Sequence, residues 1–320
     1  MEIGAAYSAL TFSGNPFLTR ITMIDYLIGV DGGGTKTRVR LARRDPAGLA
    51  APTALAEGAS GPSGLRLGID NAWRAVDAAV AQAFAAIGID AIPRAACAIG
   101  LGLAGVHNKE WAAAFRAVDH GYAALLLDTD GFTTLMGAHG GRPGAIVAIG
   151  TGSVGEALRA DGSRIEVGGW GFPAGDEASG AWMGLRALNH IEQVLDGRAE
   201  GGDFARDVID ACGGTRDAIQ VWLGRATQTD YASLARFVVA HGALDPVAGA
   251  ILEHAGREVA GIARALDPGG TLPLSLCGGL GETLRLTLPA ATLARCSPPH
   301  GDSASGALRM IELHLEDSPR

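Results

Sequence analysis

Apolar positions along the first half of the chain predict strands separated by helices. The continuous apolar run Tyr26–Val30 is typical of a buried strand. Val39 and Leu41 then alternate with arginines at a period of two, which predicts a second strand. The other elements predicted here are helices at 73–87 and 108–118 and strands at 97–103 and 123–127. This order indicates an α/β chain.

The second half begins with strands and then becomes helical. Strands are predicted at 145–149, 154–159 and 164–167, with Asp161-Gly162 as a tight turn before the third. Apolar residues at a period near 3.6 then predict helices at 177–195, 204–211, 217–225, 231–241 and 247–266. The pattern ends with a strand at 272–276 and a helix at 303–315. Each half therefore opens with a strand hairpin.

Glycine turns follow three of the predicted strands, at Gly32–Gly34, Gly150–Gly152 and Gly278–Gly281. Such turns let backbone N–H groups approach an anion closely, so we interpret the first as a phosphate-binding hairpin. It is neither a P-loop nor a dinucleotide fingerprint, because Thr35 precedes the lysine and a strand follows. One such turn alone could be an ordinary hairpin. Two of them predict duplicated domains that face each other across a cleft.

Composition and charge exclude several classes of protein. At 320 residues, with 48% hydrophobic and 19% charged, the chain has the size of two globular domains. Its formal charge of −8 argues against nucleic acid or an anionic membrane as a partner. Four scattered cysteines without a zinc pattern indicate reduced thiols in a cytoplasmic protein that binds no transition metal through its side chains. Residues 1–22 resemble no targeting signal, and we interpret them as a disordered leader.

Taken together, the motifs resemble a known superfamily. DGGGTKT, GTGS, GGWG followed by GDE, and CGGLG occur in the order found in the sugar kinase/Hsp70/actin superfamily. They are most similar to those of N-acetylglucosamine kinases and the BadF/BadG/BcrA/BcrD-type ATPases, from Tyr26 to about Leu315. The resemblance implies two RNase-H-like (actin-like ATPase) domains, each a mixed five-stranded sheet with helices, with a nucleotide cleft between them. We place the N-terminal domain at 23–136, joined by the C-terminal helix 303–316, and the C-terminal domain at 137–302.

The resemblance also implies which turns bind ATP. The first two turns would hold the distal phosphates from opposite sides, and the third would let the adenosine lie against the backbone. The residues assigned in this way are Gly32, Gly33, Gly34, Thr35, Gly150, Thr151, Gly152, Ser153, Gly278, Gly279 and Gly281. Asp31 would act through Mg²⁺ and its waters, as a hard oxygen ligand.

Phosphoryl transfer to a sugar hydroxyl needs a proton acceptor, and Asp130 is the candidate. It follows an apolar strand, precedes small residues and matches the catalytic Asp of these kinases. The alternative interpretation is a turn-forming Asp at a strand end. Asp128 is the weaker candidate, because the period of two in a strand directs it to the other face.

The segment from GGWG to GDE resembles the family's sugar-binding segment. A carboxylate suits a sugar because it can accept hydrogen bonds from two neighbouring hydroxyls. The substrate residues assigned on this basis are Asp130, Thr151, Gly168, Gly169 and Asp176. Glu177 is interpreted instead as an acid placed at a helix N-terminus for its dipole, and Trp170 as a packing residue.

Two positions depart from the family's pattern. Members often carry a sugar-holding Asn in the segment that corresponds to Gly58–Gly64, which we predict to be a turn. Here Gly64 stands at that position, and Ala104 stands where some relatives have Ser. Both changes concern the identity of the sugar and not the chemistry of ATP.

We therefore expect an ATP-dependent kinase of an amino sugar, with N-acetylglucosamine first, glucosamine second, and the 6-hydroxyl as acceptor. One alternative is an ATPase that activates an acyl-CoA reductase or dehydratase and holds an iron–sulfur cluster through cysteines near the cleft. Another is a non-enzymatic actin-like sugar sensor. The phosphate turns and Asp130 favour an enzyme over such a sensor. We expect a homodimer with no nucleic-acid or membrane partner.

Overall fold

The computed structural model describes residues 23–45 and 52–317, so the expected leader at 1–22 lies outside the described residues. The strands are β1 (Tyr26–Gly32), β2 (Thr37–Arg43), β3 (Thr53–Ser60), β4 (Cys97–Leu103), β5 (Ala124–Asp128), β6 (Gly144–Ile149), β7 (Ser153–Leu158), β8 (Arg164–Gly168) and β9 (Leu274–Cys277). The helices are α1 (Ile69–Ala85), α2 (Lys109–Ala117), α3 (Asp130–His139), α4 (Gly180–Leu195), α5 (Asp203–Ala211), α6 (Arg216–Leu223), α7 (Gln228–Ser233), α8 (Ala235–His241), α9 (Pro246–Leu266), α10 (Gly281–Arg285), α11 (Ala290–Leu293) and α12 (Ser303–Asp317).

The first sheet has the order β3-β2-β1-β4-β5 in the part of the chain that the structure describes. β1 pairs antiparallel with β2 and parallel with β4, which makes the sheet mixed, as expected. Ile28 and Val30 belong to the core that α1 covers, whereas Leu27 packs with Ile311 of α12 on the opposite face. This alternation is the period of two of a strand buried on both faces.

The predicted turn at Gly58–Gly64 is wrong for its first three residues, which belong to the edge strand β3. A Cβ on Gly58 would lie 2.0 Å from the carbonyl oxygen of Ala79 in α1. The glycine therefore permits close packing of strand on helix, which a local reading of small residues takes for a turn.

Within the described residues, the second sheet has four strands in the order β8-β7-β6-β9, so the expected five-stranded sheet is wrong here. The chain does return beside β9, but only as a single parallel bridge between Leu274 and Cys296. Pro298 and Pro299 follow after Ser297, and because proline has no N–H the ladder cannot continue. The order nevertheless repeats that of β3-β2-β1-β4, which confirms an α/β fold of two mixed sheets.

Two helical predictions also need correction. The helix expected at 231–241 is two helices, α7 and α8. Between them Leu234 N–H donates to the Tyr231 carbonyl at 3.1 Å, and this three-residue spacing is a tighter turn than that of an α-helix. Helix α3 was not predicted, because its glycines interrupt the apolar pattern. They permit close packing instead, since a Cβ on Gly137 would lie 2.0 Å from the carbonyl oxygen of Asp302. Gly306 of α12 packs in the same way against α3, as its small residues predict.

No single helix in the described ranges is long and apolar enough to cross a bilayer. The pair Gln228–His241 and Pro246–Leu266 passes that test together by length and composition only, and it is bent by 111°.

Candidate active site

The first glycine turn is anchored on one side and open on the other. Gly33 N–H donates to the Lys36 carbonyl at 3.0 Å and closes the hairpin. The Gly33 carbonyl accepts from Ser63 N–H at 3.1 Å and from Gly64 N–H at 2.9 Å. On the other side, no heavy atom of the described residues lies within 4 Å of a Cβ built on Gly34. The turn is therefore held in place and still offers space for an anion.

The second turn is fixed through its carbonyl oxygens. The Gly150 carbonyl accepts from Gly180 N–H at 2.8 Å, and the Thr151 carbonyl accepts from Ala181 N–H at 3.2 Å. Both donors belong to the first turn of α4. Ser153 Oγ donates to the Glu177 carbonyl at 2.6 Å, which places this serine in the support of the turn.

The third turn packs directly on the second. Gly278 has φ +82° and lies so close to β6 that a Cβ would be 2.3 Å from the Ile149 carbonyl oxygen. That carbonyl accepts from Leu280 N–H at 3.1 Å. Gly279 faces open space, with no heavy atom of residues 23–45 or 52–317 within 4 Å of a built Cβ. Gly281 begins α10 and is buried against Leu276.

A cavity of about 360 Å³ brings Asp130 together with the second and third turns. It is lined by Asp130, Gly131, Thr134, Ala148, Ile149, Gly150, Thr151, Gly152, Ser153, Val154 and Gly278. Asp130 and the second glycine turn thus line one space, an arrangement that suits a phosphorylated ligand and a hydroxyl to be deprotonated.

Asp130 is the first residue of α3, and Thr129 caps this helix by accepting from Phe132 N–H at 3.0 Å. Burial raises the pKa of Asp130, while a hydrogen bond from Gly131 N–H and the nearby His107 act in the opposite direction. A raised pKa suits a carboxylate that must take up a proton.

Other carboxylates surround the first turn. Burial, reinforced by Asp130 and Asp302, raises the pKa of Asp31, and a hydrogen bond from Ser303 opposes this shift. Burial also acts to raise the pKa of Asp302, but hydrogen bonds from Arg40 and then Ser305 bring it to about 2. Arg40 holds Asp302 with two bonds, of 3.1 and 2.9 Å. Asp31 and Asp130 are therefore the carboxylates here that no arginine neutralises by a two-bond contact.

The structure places Asp176 behind the second turn and not among the residues that line the cavity. It is 5% exposed and accepts from Gln228 Nε2 at 2.6 Å. A Cβ on Gly152 would lie 2.7 Å from Asp176 Oδ2, so the carboxylate touches the turn directly. Burial raises the pKa of Asp176, and hydrogen bonds from Ser153, Gln228 and Gly171 oppose this shift.

The assignment of Trp170 to packing is wrong, because this side chain is 86% exposed. Gly168 and Gly169, at φ +77° and +69°, turn the chain away from the end of β8, and the indole projects from the loop they start. Glu177 does precede α4, but the helix begins only at Gly180, with Ser179 as its cap. Its expected place in the first turn of that helix is therefore wrong as well.

Sequence reasoning missed His107 and Glu156. His107 Nδ1 lies 3.7 Å from Glu166 and close enough to influence Asp130. Glu156 lies in β7, is 2% exposed, and accepts from Thr129 Oγ1 at 3.0 Å. A single acid in a predicted strand ordinarily indicates a solvent-facing position, so only the three-dimensional contact could have revealed it.

The residues at 23–45 and 52–317 contain no group of three or more His, Cys, Asp or Glu side chains that could hold a metal ion. Mg²⁺ does not require such a group, because it is commonly bound through one or two carboxylates and the phosphates of the substrate. Asp31, beside the open first turn, fits that mode of binding.

The two mixed sheets, with glycine turns at the ends of their strands, have the arrangement of an actin-like ATPase fold. Residues 28–280 match the model of the BadF/BadG/BcrA/BcrD ATPase family, and the chain belongs to this family. ATP is therefore the nucleotide that the family implies.

Relatives of known name cover most of the chain. It is 31% identical to the glucosamine kinase of Vibrio cholerae over 286 residues. This alignment covers 89% of this chain and 95% of that relative. It is 28% identical to the N-acetylmuramic acid/N-acetylglucosamine kinase of Clostridium acetobutylicum, over 73% of this chain and 76% of that enzyme.

One solved structure is similar in both sequence and fold. A protein of Chromobacterium violaceum, provisionally named an N-acetylglucosamine kinase, is 52% identical, with a TM-score of 0.86 over 90% of this chain and 99% of that one. A second such protein, from Porphyromonas gingivalis, has a TM-score of 0.60 at 18% identity and covers 91% of this chain and 99% of that one, which shows the shared fold.

Proposed function

We propose that this chain is an ATP-dependent kinase that transfers a phosphoryl group to an amino sugar, with Asp130 as the base. The observation that carries the proposal is the single cavity that Asp130 shares with the second glycine turn. N-acetylglucosamine is the first candidate substrate and glucosamine the second, both at the 6-hydroxyl. The relatives at 52% and 31% identity support these two sugars respectively.

The glycine turns would hold ATP through backbone amides. Gly32–Thr35 and Gly150–Ser153 would contact the distal phosphates, with Gly278, Gly279 and Gly281 beside the adenosine. The open space at Gly34, Gly150 and Gly279 supports this placement, because a phosphate or a nucleoside can come close there. Mg²⁺, when bound, would neutralise charge on the phosphates, and Asp31 would hold it through water.

Asp130 would accept the proton of the attacking sugar hydroxyl while the phosphate turns fix the transferred group. Its contact with Gly131 N–H leaves one carboxylate oxygen available for that proton. Thr151, Gly168, Gly169 and Asp176 would contact the sugar. Because Asp176 is 5% exposed, the loop that starts at Gly168 must rearrange before this carboxylate can reach a hydroxyl.

The alternative of an iron–sulfur activator is less well supported than the kinase, because the candidate ligand cysteine is buried. Iron–sulfur clusters are held by several cysteine thiolates, and each of these side chains must be able to reach the cluster. Cys277 is 7% exposed and packs in a core with Leu135 and Ile146. Assembly as a homodimer and a cytoplasmic location stay predictions.

A coupled assay of ADP release over amino sugars, N-acetylated hexosamines and plain hexoses tests the proposal. We expect release that depends on an added amino sugar, with N-acetylglucosamine or glucosamine giving the highest kcat/KM. Phosphate at the 6-position is checked by NMR of the product. Release of ADP at the same rate without any sugar, or a rust-brown purified protein, would contradict the kinase and favour the activator.

Gly64→Asn is expected to lower the KM for N-acetylglucosamine roughly three- to tenfold, the equivalent of one regained hydrogen bond of about 0.5–1.5 kcal/mol. The backbone of Gly64 has φ −59° and ψ 132°, and a built Cβ would lie 3.5 Å from the Gly33 carbonyl oxygen, so the backbone accepts the Cβ of an asparagine. Because ground and transition states share this contact, kcat should change less than KM. Steady-state kinetics on both sugars measures the effect.

Gly61→Asn is the matched control, since it lies in the same loop with no heavy atom of the described chain within 4 Å of its built Cβ. It should leave both KM values unchanged. A folded Gly64→Asn variant with an unaltered KM for every amino sugar would show that another residue occupies the sugar-holding position.

A further inference from the structure

Asp130 begins α3, one residue after the end of β5, and side chains of the second sheet hold the two residues before it. Arg164 of β8 donates two hydrogen bonds to Asp128, from Nη1 at 2.8 Å and from Nη2 at 3.0 Å. Thr129 Oγ1 donates to Glu156 Oε1 of β7 at 3.0 Å. Both residues that precede Asp130 are therefore fixed from the facing strands.

The same two side chains also hold the residues after Asp130. A Cβ on Gly131 would lie 2.6 Å from Glu156 Oε1, so the carboxylate rests directly against this glycine. The guanidinium carbon of Arg164 lies 3.3 Å from the centre of the Phe132 ring. Arg164 Nη2 and Glu156 Oε2 are 3.6 Å apart, so the two side chains form one charged pair. We call this pair the Glu156–Arg164 clamp.

We propose that the Glu156–Arg164 clamp positions Asp130 relative to the second phosphate turn. β7 begins at Ser153, directly after that turn, so three residues separate the turn's last member from Glu156. The clamp thereby connects the base to the amides that fix the transferred phosphate. This inference rests on the proposed function, in which Asp130 takes the proton. A misplacement of about 1 Å at such a site can lower turnover by roughly 10².

Stability alone does not account for an acid at this position. Glu156 is 2% exposed, and burial raises its pKa to about 7. Arg164 and Thr129 act to lower this pKa, whereas Glu166 and Asp128 act to raise it. A buried ion pair is often no more stabilising than apolar side chains of similar volume. The cost of burying this carboxylate therefore favours a role in placement.

Glu156→Gln tests the clamp in assays above pH 7, where Glu156 is ionised, because glutamine keeps an acceptor for Thr129 Oγ1 and loses the charge that pairs with Arg164. We expect kcat to fall roughly tenfold while the KM values for ATP and sugar stay within about twofold, the pattern of a lost transition-state interaction. Arg164→Lys keeps the charge and loses the two-bond contact with Asp128, so it should lower kcat to a similar extent.

Asp267→Asn is the matched control. It breaks a buried pair with Arg295, at 2.7 Å, in the same half of the chain. It should lower the Tm and leave kcat unchanged, which separates placement from stability. Wild-type kcat in both Glu156→Gln and Arg164→Lys would overturn the proposal.

A double variant distinguishes action through Asp130 from an independent effect. In an Asp130→Asn background, Glu156→Gln should lower kcat no further, because the base it positions is already gone. A further tenfold loss of kcat in the double variant, equal to the loss expected for Glu156→Gln alone, would overturn the proposal. Hydrogen exchange needs no sugar: in Glu156→Gln the amides of Gly131 and Phe132 should exchange faster, and in Asp267→Asn they should not. If no sugar is phosphorylated, the kinase proposal fails, while the exchange result still supports or overturns the clamp.

Discussion

Asp130→Asn is expected to lower kcat by roughly 10²–10⁴, the usual contribution of a positioned base. Asparagine keeps the shape of the side chain and an oxygen that can accept from Gly131 N–H, which lies 3.1 Å from Oδ1 in the native chain. It cannot accept a proton at neutral pH. Binding of ATP and sugar should therefore persist, and the loss should fall on kcat rather than on KM. The coupled ADP-release assay and calorimetry of both ligands measure the two effects.

Asp119→Asn controls for the local role of an aspartate in a turn. Asp119 Oδ1 accepts from Gly121 N–H at 2.8 Å, a bond of the same kind, but it lies between α2 and β5, outside the cavity. It should leave turnover unchanged. Near-normal turnover in Asp130→Asn would instead favour the turn-forming interpretation of Asp130.

The pH dependence of the wild-type enzyme follows from the same carboxylate. Burial raises the pKa of Asp130 above its ordinary value, so protonation begins at a higher pH than for a free aspartate. Because a base must be ionised to accept a proton, kcat/KM should fall as the pH drops through that raised pKa. The acid limb contributed by Asp130 should be absent from the profile of Asp130→Asn.

Local sequence was enough wherever a segment is buried on both faces or a turn needs glycine. The strand β4 has the predicted bounds, because every position from Cys97 to Leu103 is buried and the apolar run is continuous. The glycine turns follow β1, β6 and β9 as expected. Close approach excludes a side chain at Gly278, whereas Gly150 leaves open space.

What the sequence did not predict depends on contacts between distant segments. Helix α3 is defined by its packing on α12, more than 160 residues away, where Thr133 Oγ1 lies 2.8 Å from Ser303 Oγ. The sequence alone suggests that Glu156 is a solvent-facing acid in a strand, because its hydrogen bond from Thr129 appears only in the folded structure. Trp170 would be expected in a core on hydrophobicity alone, yet its glycine-rich loop holds it in solvent.

Gly150→Ala should raise the KM for ATP and lower kcat/KM for ATP by roughly 10–100-fold, with an unchanged Tm. No heavy atom in the described part of the chain lies within 4 Å of a built Cβ, and the φ of Gly150 is not positive, so the fold accepts alanine. If this glycine is there to admit a phosphate, the new methyl group displaces the ligand from one backbone amide. A hydrogen bond to a charged group contributes about 1.5–3 kcal/mol, which gives the stated range.

Gly261→Ala in α9 is the matched control, because its built Cβ also meets no described heavy atom within 4 Å. It should leave the KM for ATP unchanged and, in a helix, raise stability by about 1 kcal/mol. Gly278→Ala would not serve, since its φ of +82° and the Ile149 carbonyl 2.3 Å away predict a folding defect. Affinity for a non-hydrolysable ATP analogue and thermal unfolding should be measured on the same samples. If Gly150→Ala binds the analogue as tightly as the wild type, the second turn does not contact the phosphates and the placement of ATP must be revised.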